Sequence, residues 1–533
     1  MLMEGIKEIV FTREYYYYPW CVLIFMSSRD EYMGESSIWI RGGSLILPDM
    51  DRPVEGDITI SDGKIEEISI GKKAPISSTR GYDVVDASGK IVGPAFIDGH
   101  MHFTQWSISR IAVDLSGCGS WREILELMES HKYPDDRNSL RSITGILMGV
   151  DYDDTFFRGK EPPTLEQMDR FFGDIPTVIR RVCGHRAMGN SSFLDKIEAP
   201  QLCLENGLLT DGKGIELAWD IPIRTDGLSE CLSEGMRTLN EMGVIGGVDI
   251  IRERQLKNFH EAYEAAGSGM RLALSVIEEN MEKESPFGSL DNRKPEVDFG
   301  RKPPVVFSKL FLDGSIGAGT AAMYGGRKDE EIKKLLHDRK SLKKIIDEVQ
   351  ERGLIPMMHA IGGRAVDLSI KSISSWEKPS RIEHAIEIGD RSLNQARRKG
   401  IYFCMQPNFA YRWGRPGGMY EKAVGQTFKR LNRIRTVYKR RIPLCFGTDM
   451  MPPDPLYALE GAVNNPIISE RISLAEAVRC YTTNSANLSL IGDGNDFSLR
   501  VGGNGDIVVF GRDKVYATVV QGRLLKNGQC IQD

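Results

Sequence analysis

Two of the eight histidines in this 533-residue chain, His100 and His102, close the short apolar run "GPAFIDGHMHF" at residues 93–103. On a strand, residues i and i+2 project to one face and Met101 to the other, so both imidazoles would enter the same site. His359 closes "LIPMMHA", His384 sits in "SRIEHA", and Asp449 closes "IPLCFGTD". A single histidine is more often an ordinary buried or surface side chain than a ligand. Four of them, each ending an apolar run and joined by a carboxylate, form the ligand set that suits a divalent ion, zinc first. Such a site activates water near neutral pH and polarises a carbonyl. Asp449 would then carry the water's proton to a leaving group.

The elements that must position these residues have the texture of an α/β fold. Runs such as "VVFSKLFLDG", "LIPMMHAIGG", "IYFCMQPN" and "IPLCFGTD" are short, apolar and closed by Gly, Asp or Asn, as buried parallel strands are. Amphipathic stretches such as "DEEIKKLLHDRKSLKKIIDEVQERG" and "SLNQARRKG" lie between them, each ending on glycine. Residues 93–487 are therefore expected to form a (β/α)8 TIM-type barrel, in which the C-terminal strand ends build the site. About ten strand candidates compete for the eight places, so an insertion is expected around residues 140–250. Alternating β-type runs recur at both ends of the chain, so residues 37–92 and 488–533 are expected to make one composite β-sandwich. Residues 1–36 read as an N-terminal extension, poorly ordered or a mis-called start.

Composition narrows the partners. A formal net charge of −5 gives no global attraction for nucleic acid or anionic lipid, leaving a small molecule as the expected ligand and a homodimer as a candidate assembly. "YYYYPWCVLIFM" falls short of the ~20 residues that span a bilayer. It also lacks the flanks of a secretory signal. Nine cysteines occur singly, without CxxC spacing, which fits a reduced, cytoplasmic chain. The basic tract containing Lys429, Arg430, Arg433, Arg435, Lys439, Arg440 and Arg441 has mostly helical spacing and reads as a solvated helix face rather than an anion site.

"GPAFIDGHMHF", "LDGSIGAGTAAMY", "MMHAIGGRAVD", "RIEHA" and "FGTDMMPPDPLYAL", taken in this order, resemble the metal-dependent amidohydrolase superfamily, in its YtcJ-like (amidohydrolase family 3) branch. The resemblance runs from about Ile38 to Val509 and implies a metal-bearing barrel beside a β-sandwich. It nominates Lys309, in "FSKLFLDGSIG", as the lysine similar to the carbamylated bridging ligand of members with two metals. A bare ammonium would repel a cation, whereas its carbamate is an anionic two-oxygen ligand; the bland alternative is a lysine paired with an acid such as Asp313. The stretch "RRVCGHRAMGNSSFL" implies that His185 lies near the substrate, and Arg364 and Asp313 are weaker candidates to orient ligands. One departure is Gly363, where the family usually carries an acid. The expected activity is hydrolysis of an amide or other non-peptide C–N bond by metal-activated water. A deaminase or cyclic-amide hydrolase on the same scaffold, and a non-catalytic barrel, are the alternatives.

Overall fold

The computed structural model describes residues 37–71, 81–133, 144–154, 157, 161–182, 186–197, 208–210, 225–267, 269–277, 302–325, 330, 334–374, 378–492 and 497–525. The expected extension at residues 1–36 lies outside the described residues, and so does His185.

Eight parallel strands pair in chain order: Phe96–Met101, Val244–Arg252, Arg271–Ile277, Val305–Phe311, Ile355–Ala360, Arg381–His384, Tyr402–Met405 and Leu444–Phe446. Each is buried on both faces along almost its whole length, which is why its sequence reads as a continuous apolar run rather than an alternating one. Helices such as Arg339–Glu351 and Asp390–Arg398 connect them; Asp338 caps the first of these by accepting from Lys340 N and Ser341 N at 2.7 and 2.8 Å.

Among the described residues no ladder hydrogen bonds join the eighth strand to the first, and the barrel is closed there by other means. Asp98, buried in the first strand, accepts His100 N and Thr448 N on Oδ1, each at 3.0 Å. Its Oδ2 accepts Thr448 Oγ1 at 2.6 Å and Tyr481 OH at 2.7 Å. Asp449 N adds a bond to His100 O at 2.9 Å. The last strand end thus reaches the first through a buried carboxylate clasp.

The surplus strand candidates form a separate sheet between the first and second barrel strands, ordered Leu208–Thr210, Arg186–Gly189, Thr177–Arg181, Leu147–Tyr152, Val113–Asp114. This sheet begins earlier in the chain than residue 140, and Val244–Arg252 belongs to the barrel. The two ends of the chain meet in one continuous eight-stranded sheet, where Ile91–Pro94 pairs antiparallel with Ile507–Phe510. Its core draws Ile38, Ile40, Ile58 and Val92 from one end and Ile507, Val509 and Val519 from the other. Asp506 fastens this sheet to the barrel by accepting from Arg271 Nη1 at 2.6 Å.

The basic tract ties helices together. Arg433 and Arg440 both pair with Asp390, at 3.0 and 2.5 Å, and Lys439 pairs with Glu476 at 2.8 Å. Among the described residues, no helix is long and apolar enough to cross a membrane.

Candidate metal centre

His100 lies in the first barrel strand, one residue before its end, and His102 follows it; His359 lies in the fifth, His384 ends the sixth, and Asp449 follows the eighth. All five come together at the C-terminal mouth. The imidazole centroids are 5.8 Å apart for His100 and His102, 4.9 Å for His100 and His384, and 4.5 Å for His359 and His384. Asp449 Oδ1 lies 3.3 Å from His100 Nε2 and 3.2 Å from His102 Nε2. His100 is fully buried, and among the described residues its Nε2 makes no well-formed hydrogen bond, facing only the Asp449 carboxylate. A buried polar atom without a good partner is costly in a protein interior unless an ion or a water completes it.

The backbone is bent to produce this convergence. His384, Ala385, Asp449 and Met450 have φ of +70°, +42°, +54° and +58°, a region that side chains other than glycine enter only under constraint. The sixth and eighth strands therefore stop abruptly and turn their last side chains into the mouth.

Burial holds His102 below its ordinary pKa despite Asp449 beside it. Burial also pushes His384 well below, helped by His359 and His100. Both rings are thus kept neutral, as ligation requires. Burial alone would raise the Asp449 carboxyl, but the two neighbouring imidazoles hold it well below the usual carboxylate range, so it stays ionised. His100, His102 and Asp449 each offer a ligand atom, all within 4.8 Å of one another, a set that fits a divalent cation.

Lys309, inside the fourth strand, is buried, and among the described residues no carboxylate stands within salt-bridge distance of its Nζ. The centroid of the Phe311 ring lies 5.2 Å from its Nζ. Burial lowers its pKa to about 8, although Glu383 and Asp449 pull the other way. Asp313 engages backbone instead of the lysine, accepting from Ala322 N, Ile361 N and Gly362 N at 2.9, 3.0 and 2.8 Å. It thereby holds the loop after the fourth strand against the end of the fifth, next to His359. Arg364 braces the same loop through Met323 O and Tyr324 O.

The missing acid at Gly363 has a steric reason. A Cβ there would stand 2.1 Å from Cε2 of Tyr324, whose ring fills the space. Glu387, arriving from the sixth-strand end, takes up the Gly363 and Tyr324 amides at 3.0 and 2.7 Å.

Sequence reasoning overlooked Glu383 and Arg381. Glu383 accepts from His100 Nδ1 and, on Oε1, from Arg381 Nε at 2.6 Å. Burial would raise its carboxyl, but Arg381 and His100 bring it down to about 2. His100, Glu383 and Cys404 are close enough to hold an ion of their own, but Glu383 already spends both oxygens on Arg381 and His100, and a fixed guanidinium beside it repels cations. The readable signal for Glu383 was a carboxylate inside an apolar run, since such a group is buried only with a partner.

The chain is similar to several known proteins. The model of the Amidohydrolase family matches residues 83–524. YtcJ of Bacillus subtilis (strain 168), assigned as an amidohydrolase, is 24% identical over 446 residues, spanning 76% of this chain and 81% of that protein. The N-substituted formamide deformylase of Arthrobacter pascens is 21% identical over 511 residues, 86% of this chain and 90% of the relative. In fold, the chain is similar to the crystal structure of an uncharacterized metal-dependent hydrolase from Pyrococcus furiosus, with a TM-score of 0.69 and 24% identity over 90% of this chain and 99% of that one. The chain belongs to the amidohydrolase family, in its YtcJ-like branch.

Proposed function

We propose that this protein hydrolyses an amide or other non-peptide C–N bond of a small molecule, with His100, His102, His359, His384 and Asp449 holding one or two divalent ions, zinc first. Lys309, as its carbamate, is the proposed bridging ligand when two are bound. The observation that carries the reading is the buried Nε2 of His100, which faces Asp449 Oδ1 at 3.3 Å beside the His102 and His384 rings. The match to a formamide deformylase over most of both chains supports a C–N bond as the target.

A divalent ion in this cradle supplies a water of lowered pKa and a Lewis acid for the substrate carbonyl. The chain's own residues do the rest. Asp449, ionised and hydrogen-bonded to no backbone donor through Oδ1, takes the proton as the water oxygen bonds to the carbonyl carbon. It returns that proton to the departing nitrogen when the C–N bond breaks. The burial that depresses His102 and His384 keeps them unprotonated through neutral pH, so activity is expected to fall only as acid charges them. His185 is proposed to contact the substrate.

The test is metal analysis of purified protein, followed by assay of the zinc-loaded enzyme on N-substituted formamides, N-acyl amines, cyclic ureas and aminated heterocycles. Amine release from the first two classes is expected. Ammonia from a ring amine, or less than about one tightly held ion per chain, overturns the reading. A carbonyl signal acquired from 13C-bicarbonate, and lost in Lys309→Met, is expected for the carbamate.

A further inference from the structure

We propose that Asp249 is a positioning residue that caps the helix Phe103–Ser109 in place of His102, and so leaves the His102 ring free to face Asp449 in the mouth. Resting on the metal-site reading above, this cap explains what holds the most exposed of the five converging side chains.

The last paired residues of the first and second strands are Met101 and Asp249. Just before them, from Asp98 to Met101, the first strand advances three residues while its partner advances two, from Gly247 to Asp249. Such a bulge re-aims side chains beside active sites. His102 comes next and is the N-cap of the helix Phe103–Ser109. Ser, Thr, Asp or Asn usually holds that position, because its side chain accepts the second or third amide of the helix. His102 makes no such bond. Its ring turns instead to Asp449, with Nε2 3.2 Å from Oδ1. The amide it leaves is taken up from the neighbouring strand: Thr104 N, second in the helix, donates to Asp249, 3.3 Å from Oδ1 and 3.2 Å from Oδ2. Thr104 Oγ1 also donates to Oδ2, at 2.6 Å. Asp249 and Thr104 are both buried, so water cannot stand in for either bond unless strand and helix part. The His102 side chain is 33% exposed and has correspondingly little packing of its own to fix it. Its backbone is held from both sides instead, at Met101 by the strand ladder and at Thr104 by Asp249.

A cap that merely stabilised the fold would not act through His102, and cobalt(II) titration separates the two. Asp249→Ala is expected to lower cobalt affinity about tenfold with the circular dichroism unchanged, the lower end of what losing the support of a ligand costs. The same substitution in a His102→Asn background is expected to change affinity less than twofold, because the ligand it positions is already gone. Thr104→Val, nearly isosteric and lacking only the hydroxyl bond, is expected to show a smaller loss with the same dependence on His102. It reads the same coupling if the alanine variant does not fold. Hydrogen–deuterium exchange reads the cap without metal: amides of residues 102–109 are expected to exchange faster in Asp249→Ala than in the wild type. Equal losses of affinity in both backgrounds, a single variant that binds cobalt within twofold of the wild type, or unchanged exchange over residues 102–109 overturns the proposal. A wild type that binds no cobalt, while exchange over residues 102–109 still quickens in Asp249→Ala, would instead overturn the metal reading and leave the cap standing.

Discussion

Replacing Asp98 tests whether the seam of the barrel is held by a carboxylate clasp. Its Oδ1 accepts two backbone amides, His100 N and Thr448 N, and its Oδ2 accepts two hydroxyls, Thr448 Oγ1 and Tyr481 OH. The two halves should respond differently. In Asp98→Ala both amides stay buried and cannot turn away, each costing roughly 1–3 kcal/mol, so a loss of about 3–5 kcal/mol is expected. In Asp98→Asn the side-chain oxygen can keep the amides. Its NH2 can donate to the two hydroxyls, which need only rotate to accept, so the loss should be about 1–2 kcal/mol. Tyr481→Phe removes one hydroxyl and should cost about 1 kcal/mol. Urea unfolding of the metal-free protein measures the order, with the wild type most stable, then Asn, then Ala. Because the clasp joins the strand that carries His100 to the one that carries Asp449, the Ala variant should also lose cobalt affinity while the Asn variant keeps most of it. An alanine variant within about 1 kcal/mol of the wild type, or an asparagine variant as damaged as the alanine one, would refute the reasoning.

Three further outcomes are expected. Glu383, held at about 2 against an ordinary 4.5, contributes stability that is complete above pH 4.5 and is lost as pH falls towards 2, worth about 3 kcal/mol; acid unfolding of Glu383→Gln should lack that component. Lys309 as a free amine, lowered from 10.5 to about 8, would release its proton earlier folded than unfolded, so stability should rise by about 3 kcal/mol between those pH values; bicarbonate, or Lys309→Met, should flatten the rise. In Gly447→Ala the new Cβ would lie 2.4 Å from His100 N, against rigid backbone, so the seam must open; a loss of about 1–3 kcal/mol and of bound metal should appear in unfolding and metal analysis.

The barrel was legible because parallel strands covered on both faces leave unbroken apolar runs, and six such runs, from "AFIDGHMH" to "IPLCFGTD", are barrel strands. The second and third strands, "VIGGVDIIR" and "RLALSVI", are equally apolar but follow a long insertion, and nothing local marks which runs join which sheet. Strand pairing is decided by contacts distant in sequence, such as Asp98 with Thr448 350 residues away, that no window contains. The same holds for the partner of Lys309. Asp313, four positions on, was the near candidate, but sequence distance does not predict which loop amides will claim a carboxylate.

His100, His102, His359, His384 and Asp449 share one property: each ends its apolar run, and a barrel gathers strand ends by construction. Those that escaped notice lie one or more residues inside the runs. Asp98, Arg381 and Glu383 precede the terminal residues by two, three and one positions, and they hold those residues rather than face the mouth. A charge within a buried strand costs several kcal/mol unless it is answered. In a sequence of this type an acid or arginine just before a terminal histidine therefore marks the support of the site, and the terminal residue marks the site itself.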